Sequence, residues 1–559
     1  MKPFAICVIC CFGLFTNAFS QETERPAVCQ MISRTWPRPD SDPSAKTGAK
    51  EASEKYKNAL VIFEKLVATR GDVRIERPVF SMSQEAKSVA LINTDQHPAE
   101  IALEEKAYDV CAGLGAEQGQ AALAFLIGHQ LTHYYQKHAV EGSLSDLLRK
   151  DFDADGRQFD ADHETEADLL GGFLAYLAGY GQFDQGADLV KKLYEAYTLP
   201  ARLPGYTSLA ERRESSRRTT QKLEDLIHLF EMANLLTAVG SYAEAAEYYK
   251  RVLLDYQSRE IYNNVGVMIL LDAMGQFKEN ELKYHYPVEL DLGASSSKGS
   301  SGAADARSVL LRQALLFFDA SISMDPDYAP AFLNKACAYA LLGDTLRAHF
   351  YAASEARRAV ESGSSFPKTG VDIDVLLGIM AANAGDPEKA KKLFESAAAT
   401  PYGALAAINL KILNGEPLDE EKPATPDLRK EKIDDQTTQS ITNTDDGILK
   451  IDPDRTVQLP DGRVFFQNLN QGPGSYALIS QNPITENTTL FHLTKPGYEG
   501  KTVRGIGLDD NRASIVGKYG EPKRTVETLT GQIMVYKNIL FILSEDRLIR
   551  WANYVVDRS

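Results

Sequence analysis

Cysteine is scarce in this chain, and its few copies do not form the even, closely spaced set of a disulfide framework. The 559 residues include six cysteines, and three of these lie within the first eleven positions. The others are Cys29, Cys111 and Cys337, which leave room for one bridge, such as Cys29 to Cys111, but not for a fold held by disulfides. Cys337 is predicted to be a small, buried apolar residue of a helix.

Long apolar runs and an excess of basic residues are missing as well. After the first 20 residues no run is long enough for a membrane span, so the mature chain is not expected to cross a membrane. Lys and Arg total 61 against 77 Asp and Glu, a net charge of −16. Because phosphate contacts need clustered cations, this balance argues against a nucleic-acid partner. The chain also has no P-loop, nucleophile elbow or dinucleotide fingerprint.

The N-terminus has the pattern of a secretory signal. Lys2 precedes an apolar run from Phe4 to Phe15, and Ala18-Phe19-Ser20 forms a small-residue cleavage site before Gln21. Residues 1–20 are therefore predicted to be a signal peptide, with a retained N-terminal anchor as the alternative. The pattern predicts export to the periplasm or cell envelope, or secretion.

Composition divides the rest of the chain into five parts. The whole is predicted to be multidomain and mainly α-helical. The parts are an extended arm at 21–50, an α+β domain at 51–222, helical hairpins at 223–413 with a flexible insertion at about 277–304, a polar linker at 414–446, and a small β-rich (α+β) domain at 447–559.

The hairpin region resembles tetratricopeptide repeats. Small and aromatic residues recur at fixed offsets, as in Gly378, Ala390 and Phe394, and from Ala314 to Ala348 is 34 residues, the expected period. This pattern predicts an α-solenoid that presents a binding surface to partners, with a generic helical bundle as the alternative.

A pair of histidines one helical turn apart is the main candidate for chemistry. His129 and His133 fall on one face of a helix predicted at 118–138, so both imidazoles can reach one metal ion. Glu164, at the start of a helix predicted at 162–180, is the candidate third ligand. Asp168, one turn further, is predicted to orient a ligand histidine.

Together, His129-Gln130-x-x-His133 and Glu164-x-x-Ala167-Asp168 resemble the gluzincin peptidases of the HtpX, BepA and CAAX-prenyl-endopeptidase family. BepA-like members are exported and carry tetratricopeptide repeats. The resemblance implies a gluzincin-type metallopeptidase domain with one zinc ion on His129, His133 and Glu164. It also implies that a strand at 99–103 lines the substrate cleft.

Gln130 departs from the family pattern. The family has a glutamate there, which acts as the general base, and a neutral amide cannot take that proton at pH 7. We therefore expect a hydrolytically impaired pseudopeptidase that binds polypeptide clients or envelope proteins. The alternatives are an active metalloendopeptidase of envelope quality control, with Glu166 or His163 as a displaced base, and a metal-free interaction scaffold. His138 is predicted to be a surface residue.

Overall fold

The chain forms two compact units, residues 21–227 and residues 1–20 with 228–559. The computed structural model describes residues 4–7, 53–84, 89–93, 97–138, 161–202, 208–278, 281–288, 303–362, 366–418, 431–444, 447–448, 456–459, 465–481, 487–528 and 531–557.

The first described element is strand β1 (Phe4–Cys7), which pairs in parallel with residues 524–527 of the C-terminal sheet. Residues 8–52 lie outside the described part of the chain. The signal peptide predicted at 1–20 and the arm predicted at 21–50 therefore stay predictions.

The N-terminal unit packs helices against a three-stranded sheet. Helix α1 starts at the cap Ser53, whose hydroxyl accepts a hydrogen bond from the Tyr56 backbone, and Phe63 of this helix stacks on Phe80 of the sheet at 5.2 Å. The elements in chain order are α1 (Glu54–Arg70), β2 (Val79–Ser83), β3 (Ala90–Asn93), β4 (Glu100–Glu104), α2 (Glu105–Ala112), α3 (Ala116–Gln136), α4 (Ala161–Ala175), which a π-helical turn extends (Tyr176–Tyr180), and α5 (Gly186–Ala196). Strand β4 is central, parallel to β2 and antiparallel to β3.

One long helix crosses the boundary that the sequence predicts at 222/223. This helix, α6 (Leu209–Val239), is continuous over 31 residues, and the two compact units divide within it. The helices that follow are α7 (Tyr242–Asp255), α8 (Arg259–Gly275), α9 (Ala303–Met324), α10 (Ala329–Leu341), α11 (Thr345–Phe350), a π-helical turn (Tyr351–Ala356), α12 (Arg357–Ser362), α13 (Pro367–Asn383), α14 (Pro387–Ala398) and α15 (Ala404–Asn414).

Glycines in the first helix of a hairpin receive an aromatic ring from the second helix. A Cβ atom on Gly266 would lie 2.5 Å from the Phe318 ring, and a Cβ atom on Gly378 would lie 2.5 Å from the Phe394 ring. Both contacts require glycine, since real Cβ atoms do not approach so closely. The recurrence confirms the predicted helical hairpins and their tetratricopeptide-like packing.

The prediction of a flexible insertion at 277–304 is wrong in part. Residues 281–288 are packed against the hairpins, and Leu282, Tyr284, Tyr286 and Val288 are buried. The glycine- and serine-rich part at 295–302 lies outside the described residues.

In the described residues, the C-terminal region contains a nine-stranded sheet and two short helices that pack on it. The sheet order is β1-β11-β12-β13-β14-β10-β9-β8-β7, antiparallel except for the β1–β11 pair. The elements are α16 (Thr438–Thr442), a small pair β5 (Asn443–Thr444) and β6 (Gly447–Ile448), β7 (Thr456–Gln458), β8 (Phe465–Gly472), β9 (Ser475–Gln481), β10 (Thr488–Thr494), α17 (Arg512–Tyr519), β11 (Arg524–Thr528), β12 (Gly531–Val535), β13 (Ile539–Ser544) and β14 (Arg547–Asp557).

The predicted linker is shorter than 414–446. Ile433 and Ile441 are buried in the core of the C-terminal sheet, and Glu431 accepts hydrogen bonds from the Tyr519 hydroxyl and the Val503 backbone. Residues 431–444 therefore belong to that domain. Its apolar contacts were hidden in sequence because only two isoleucines of the segment make them.

The predictions drawn from the scarcity of cysteine and of long apolar runs can be compared with the described residues. Cys111 is a fully buried thiol, and Cys29, its predicted bridge partner, lies outside the described residues; Cys337 is buried as predicted. In the described part of the chain, no helix combines the length and apolar character that crossing a membrane requires.

Candidate metal centre

Two glycines bring the histidine helix α3 into backbone contact with α4. A Cβ atom on Gly171 would lie 2.4 Å from the His129 nitrogen, and a Cβ atom on Gly128 would lie 2.6 Å from the Gly171 oxygen. Only hydrogen fits at these two positions. The close crossing is what places His129 beside the carboxylates of α4.

Three donor atoms converge at this crossing, as the motif spacing predicts. The Nε2 atoms of His129 and His133 are 3.0 Å apart, Oε1 of Glu164 lies 3.2 Å from Nε2 of His133, and Oε2 of Glu164 lies 3.6 Å from Nε2 of His129. All three side chains are buried. A tetrahedral zinc ion with bonds of about 2.0–2.1 Å would separate its ligand atoms by roughly 3.3 Å. The observed separations are close to that value, although the two Glu164 distances belong to different carboxylate oxygens.

Asp168 orients His129. Its Oδ1 lies 2.8 Å from Nδ1 of His129, so the ring donates its Nδ1–H to the carboxylate and presents the Nε2 lone pair to the other donors. The tautomer is assigned from this geometry.

His138 is buried rather than at the surface, and it contacts His133. The two Nδ1 atoms are 3.1 Å apart, Nε2 of His138 lies 3.4 Å from Glu166, and the His138 ring stacks on His163 at 4.2 Å. If His133 donates its Nδ1–H to His138, its Nε2 lone pair also faces Glu164. The predicted surface position is wrong because the helix predicted to run to residue 138 ends at Gln136, and Lys137 adopts a left-handed conformation that redirects the chain.

Arg212 of α6 is a site residue that no motif predicts. Its Nη2 lies 3.2 Å from Glu164 and 3.4 Å from Asp168, and its side chain is buried. Arg212 is 48 residues from Glu164, in a polar stretch with several other arginines, so the sequence carries no signal that singles it out.

The charges around Glu164 keep it ionised. Burial raises its pKa, but the hydrogen bond with His133 and the charges of His129 and Arg212 outweigh burial and lower it to about 2. Burial lowers the pKa of His133, although Glu164 opposes that effect. A neutral imidazole beside a carboxylate is the protonation state that a metal ion requires of its ligands.

Gln130 follows His129 on the same helix and is 1% exposed. Among the described residues its Oε1 has no hydrogen-bond partner. A buried amide oxygen without a partner costs free energy unless water or a ligand satisfies it. The orphaned atom therefore fits a site that holds more than the chain itself.

The strand expected to line a cleft is not available for strand addition. It forms as β4 (Glu100–Glu104), one residue from the predicted bounds, but β2 and β3 occupy both of its edges. Among the described strands the free edge nearest α3 is that of β3 (Ala90–Asn93). The sequence did not indicate these two neighbours of β4, because strand order depends on long-range pairing, which the local pattern does not encode.

Comparison with known proteins adds little to this geometry. No protein-family model matches the chain, and no curated protein matches it. It is similar to a solved structure of the human IFIT1 dimer with m7Gppp-AAAA, at 14% identity and a TM-score of 0.27, over 56% of this chain and 57% of that one. It is also similar to the APC/C hetero-tetramer Cut9-Hcn1, at 17% identity and a TM-score of 0.21, over 54% and 56%. The chain thus spans little more than half the length of these proteins, and at such TM-scores neither likeness carries an argument.

Proposed function

We propose that this protein binds one zinc ion through His129, His133 and Glu164 and holds polypeptide segments without cleaving them. The observation that carries the proposal is the convergence of two imidazole nitrogens and a carboxylate, with the Nδ1 atoms of both rings already engaged by Asp168 and His138. When Asp168 and His138 take the Nδ1 protons, the Nε2 lone pairs and the Glu164 oxygen face one point, and they repel each other unless a metal ion, or a proton shared with Glu164, lies between them. The N and O donor set suits zinc.

A bound zinc ion would supply Lewis-acid polarisation of a carbonyl or a water molecule. The residues of the chain would supply the rest, and here the set is incomplete. A carboxylate at position 130 would accept a proton from the attacking water, and the neutral amide of Gln130 cannot. Losing a general base lowers the rate by about 10²- to 10⁴-fold.

The two candidate replacement bases do not compensate. Glu166 lies 3.4 Å from His138, and His163 stacks on the same ring. Both are therefore on the Nδ1 side of His133, behind the ring rather than beside its Nε2 atom. This placement favours an impaired site over an active peptidase.

Polypeptide binding in this unit would use the edge of β3. An extended segment can add to a free strand edge through backbone hydrogen bonds, which accept many sequences. The proposal keeps the export predicted from residues 1–20, with clients or envelope proteins as partners.

A second candidate is a metal-free interaction scaffold, and Arg212 is the observation that favours it. Its guanidinium already pairs with Glu164 and Asp168, so one cation is built into the site. If that charge suffices, the cluster is structural and the protein acts through its binding surfaces alone.

Metal analysis of protein purified without chelator separates the two candidates. We expect about one zinc per chain in the wild type and in Gln130→Glu, and a large loss in His129→Ala. His349→Ala, an exposed histidine of the hairpin region, is the matched control. A metal content near zero in all four proteins would establish the scaffold instead.

Peptide hydrolysis by the same proteins tests the missing base. We expect no hydrolysis by the wild type and zinc-dependent hydrolysis by Gln130→Glu, at least about 10²-fold above the wild-type background. Robust wild-type hydrolysis that His129→Ala abolishes would contradict the impaired site and favour an active peptidase.

A further inference from the structure

The connection between helices α8 and α9 is much longer than a helical hairpin needs. The equivalent connections between α10 and α11 and between α13 and α14 each take three residues, 342–344 and 384–386. The α8–α9 connection takes 27, residues 276–302. Part of it, residues 281–288, is packed along the hairpins, and we call this part the inner segment.

The inner segment buries most of its apolar side chains. Leu282, Tyr284 and Tyr286 are buried at 8%, 5% and 6% exposure, whereas Glu281 and Lys283 between and beside them are exposed. Pro287 and Val288 are buried as well, and the chain bends at Tyr284 and at Pro287. The segment therefore packs its apolar side chains against the helices and leaves two charged side chains in solvent.

The contacts of the inner segment extend far along the chain. Glu281 pairs with Arg307 of α9 at 2.5 Å, and the Tyr284 ring lies 6.2 Å from that of Phe394 on α14. His285 of the segment forms a hydrogen bond with Asn409 of α15, which lies 124 residues further along the chain. The segment thus contacts α9, α14 and α15, although it connects only α8 to α9.

Asn409 holds the backbone of the segment rather than a side chain. Its Oδ1 accepts the His285 N–H at 2.8 Å, and its Nδ2 donates to the His285 carbonyl at 2.7 Å. The amide of Asn409 is fully buried. Pairing both backbone groups of one residue with a side-chain amide recognises any extended chain, whatever side chain stands at that position.

We propose that the surface under the inner segment is a binding groove for an extended peptide of a partner protein, and that the inner segment occupies it as an internal competitor. The partner peptide carries bulky apolar or aromatic residues at alternate positions, as in Leu282-x-Tyr284-x-Tyr286. Tethering gives the internal segment an effective concentration in the millimolar range, so a partner must bind more tightly to displace it. This inference does not depend on zinc or on the fate of Gln130.

Fluorescence anisotropy with a labelled peptide of residues 281–288 tests the groove on the full chain. The variant Tyr284→Ser/Tyr286→Ser weakens the internal competitor and leaves the groove intact. We expect it to bind the peptide at least about 10-fold more tightly than the wild type. Lys283→Ser, an exposed position of the same segment, should bind as the wild type does.

The second part of the test uses variants of Asn409. Adding Asn409→Ala to the double variant should weaken peptide binding by roughly 10-fold or more, since two hydrogen bonds are lost. A peptide methylated at the His285 nitrogen should bind weakly to the double variant, and Asn409→Ala should then add little further loss. Equal binding by the wild type and double variant, or no effect of Asn409→Ala, would overturn the proposal.

Hydrogen exchange of the wild type decides the matter if the double variant fails to fold. A displaceable segment should exchange amides at 281–288 well before α10 and α13, through local opening. Exchange of the segment only with global unfolding would make it a fixed part of the fold and overturn the proposal. A wild-type dimer that Asn409→Ala dissociates would assign the groove to a second copy and would overturn it as well.

Discussion

At the scale of single residues, two buried histidine environments have opposite characters. Carboxylates surround His129 and His133, and their negative charge favours a cation there. In the described part of the chain, no carboxylate contacts His492 of the C-terminal sheet. His492 is fully buried on β10, directly opposite Asn553 of β14, and among the described residues neither side chain has a hydrogen-bond partner. Burial lowers the pKa of His492 to about 4, against a small opposing effect of Asp434.

His492 should make the C-terminal sheet sensitive to acid. Because its folded pKa lies below the unfolded value of about 6.5, the unfolded chain takes up the proton first. Stability is then complete above pH 6.5 and falls by about 3 kcal/mol as the pH approaches 4. Urea unfolding followed by Trp551 fluorescence in a Trp36→Phe background measures this loss.

The control for that prediction removes the titrating group. His492→Leu should flatten the slope of unfolding free energy between pH 6.5 and 4, and His349→Leu, an exposed position, should leave it unchanged. Equal slopes in wild type and His492→Leu would contradict the assignment.

At the scale of elements, glycines determine how closely helices approach. The α3–α4 crossing needs Gly128 and Gly171, and the α13–α14 hairpin needs Gly378 under the Phe394 ring. In the hairpins the sequence carried part of this information, since the phenylalanine follows an alanine by four residues in both, as Ala314 and Phe318 and as Ala390 and Phe394. At the candidate metal centre it did not, because no repeat marks Gly171 as the partner of Gly128.

Gly378→Ala should destabilise the helical hairpins by about 1–3 kcal/mol, because its methyl group would lie 2.5 Å from the Phe394 ring. Gly370→Ala in the same helix is the matched control. Its methyl group would meet Val360 at 3.4 Å, so we expect no loss and a gain of up to about 1 kcal/mol from helix propensity. Thermal unfolding followed by circular dichroism compares them. Similar changes in both variants would mean that Phe394 can move aside.

At the scale of the whole molecule, buried polar contacts join the C-terminal sheet to α6, the first helix of the hairpin region. Glu231 of α6 pairs with Arg550 of β14 at 2.6 Å and accepts a hydrogen bond from the Tyr476 hydroxyl at 3.0 Å. Burial raises the pKa of Glu231, but Arg550 outweighs it, so the pKa is lowered. The sheet is thus tied to the hairpins by a charge pair rather than by apolar packing alone.

Arg550→Met should destabilise the C-terminal unit by about 3 kcal/mol, because it leaves the Glu231 carboxylate buried without its cation. Adding Glu231→Gln removes that charge and should restore part of the loss. Arg547→Met, an exposed position on the same strand, should have little effect. The Trp551 unfolding assay measures all four proteins, and no recovery in the double variant would argue against charge burial as the cause.

The sequence alone determined the local features of this protein. The helices of the hairpin region and the placement of His129 and His133 one turn apart on α3 depend on residues close together in the chain, where neighbouring residues decide the outcome.

Only the tertiary structure decided which distant residues meet. Arg212 joins Glu164 across 48 residues, His138 turns back onto His133, and the inner segment reaches Asn409 across 124 residues. β4 lies between two strands instead of at an edge. Such contacts depend on packing between elements, and no periodicity or spacing along the chain predicts that packing.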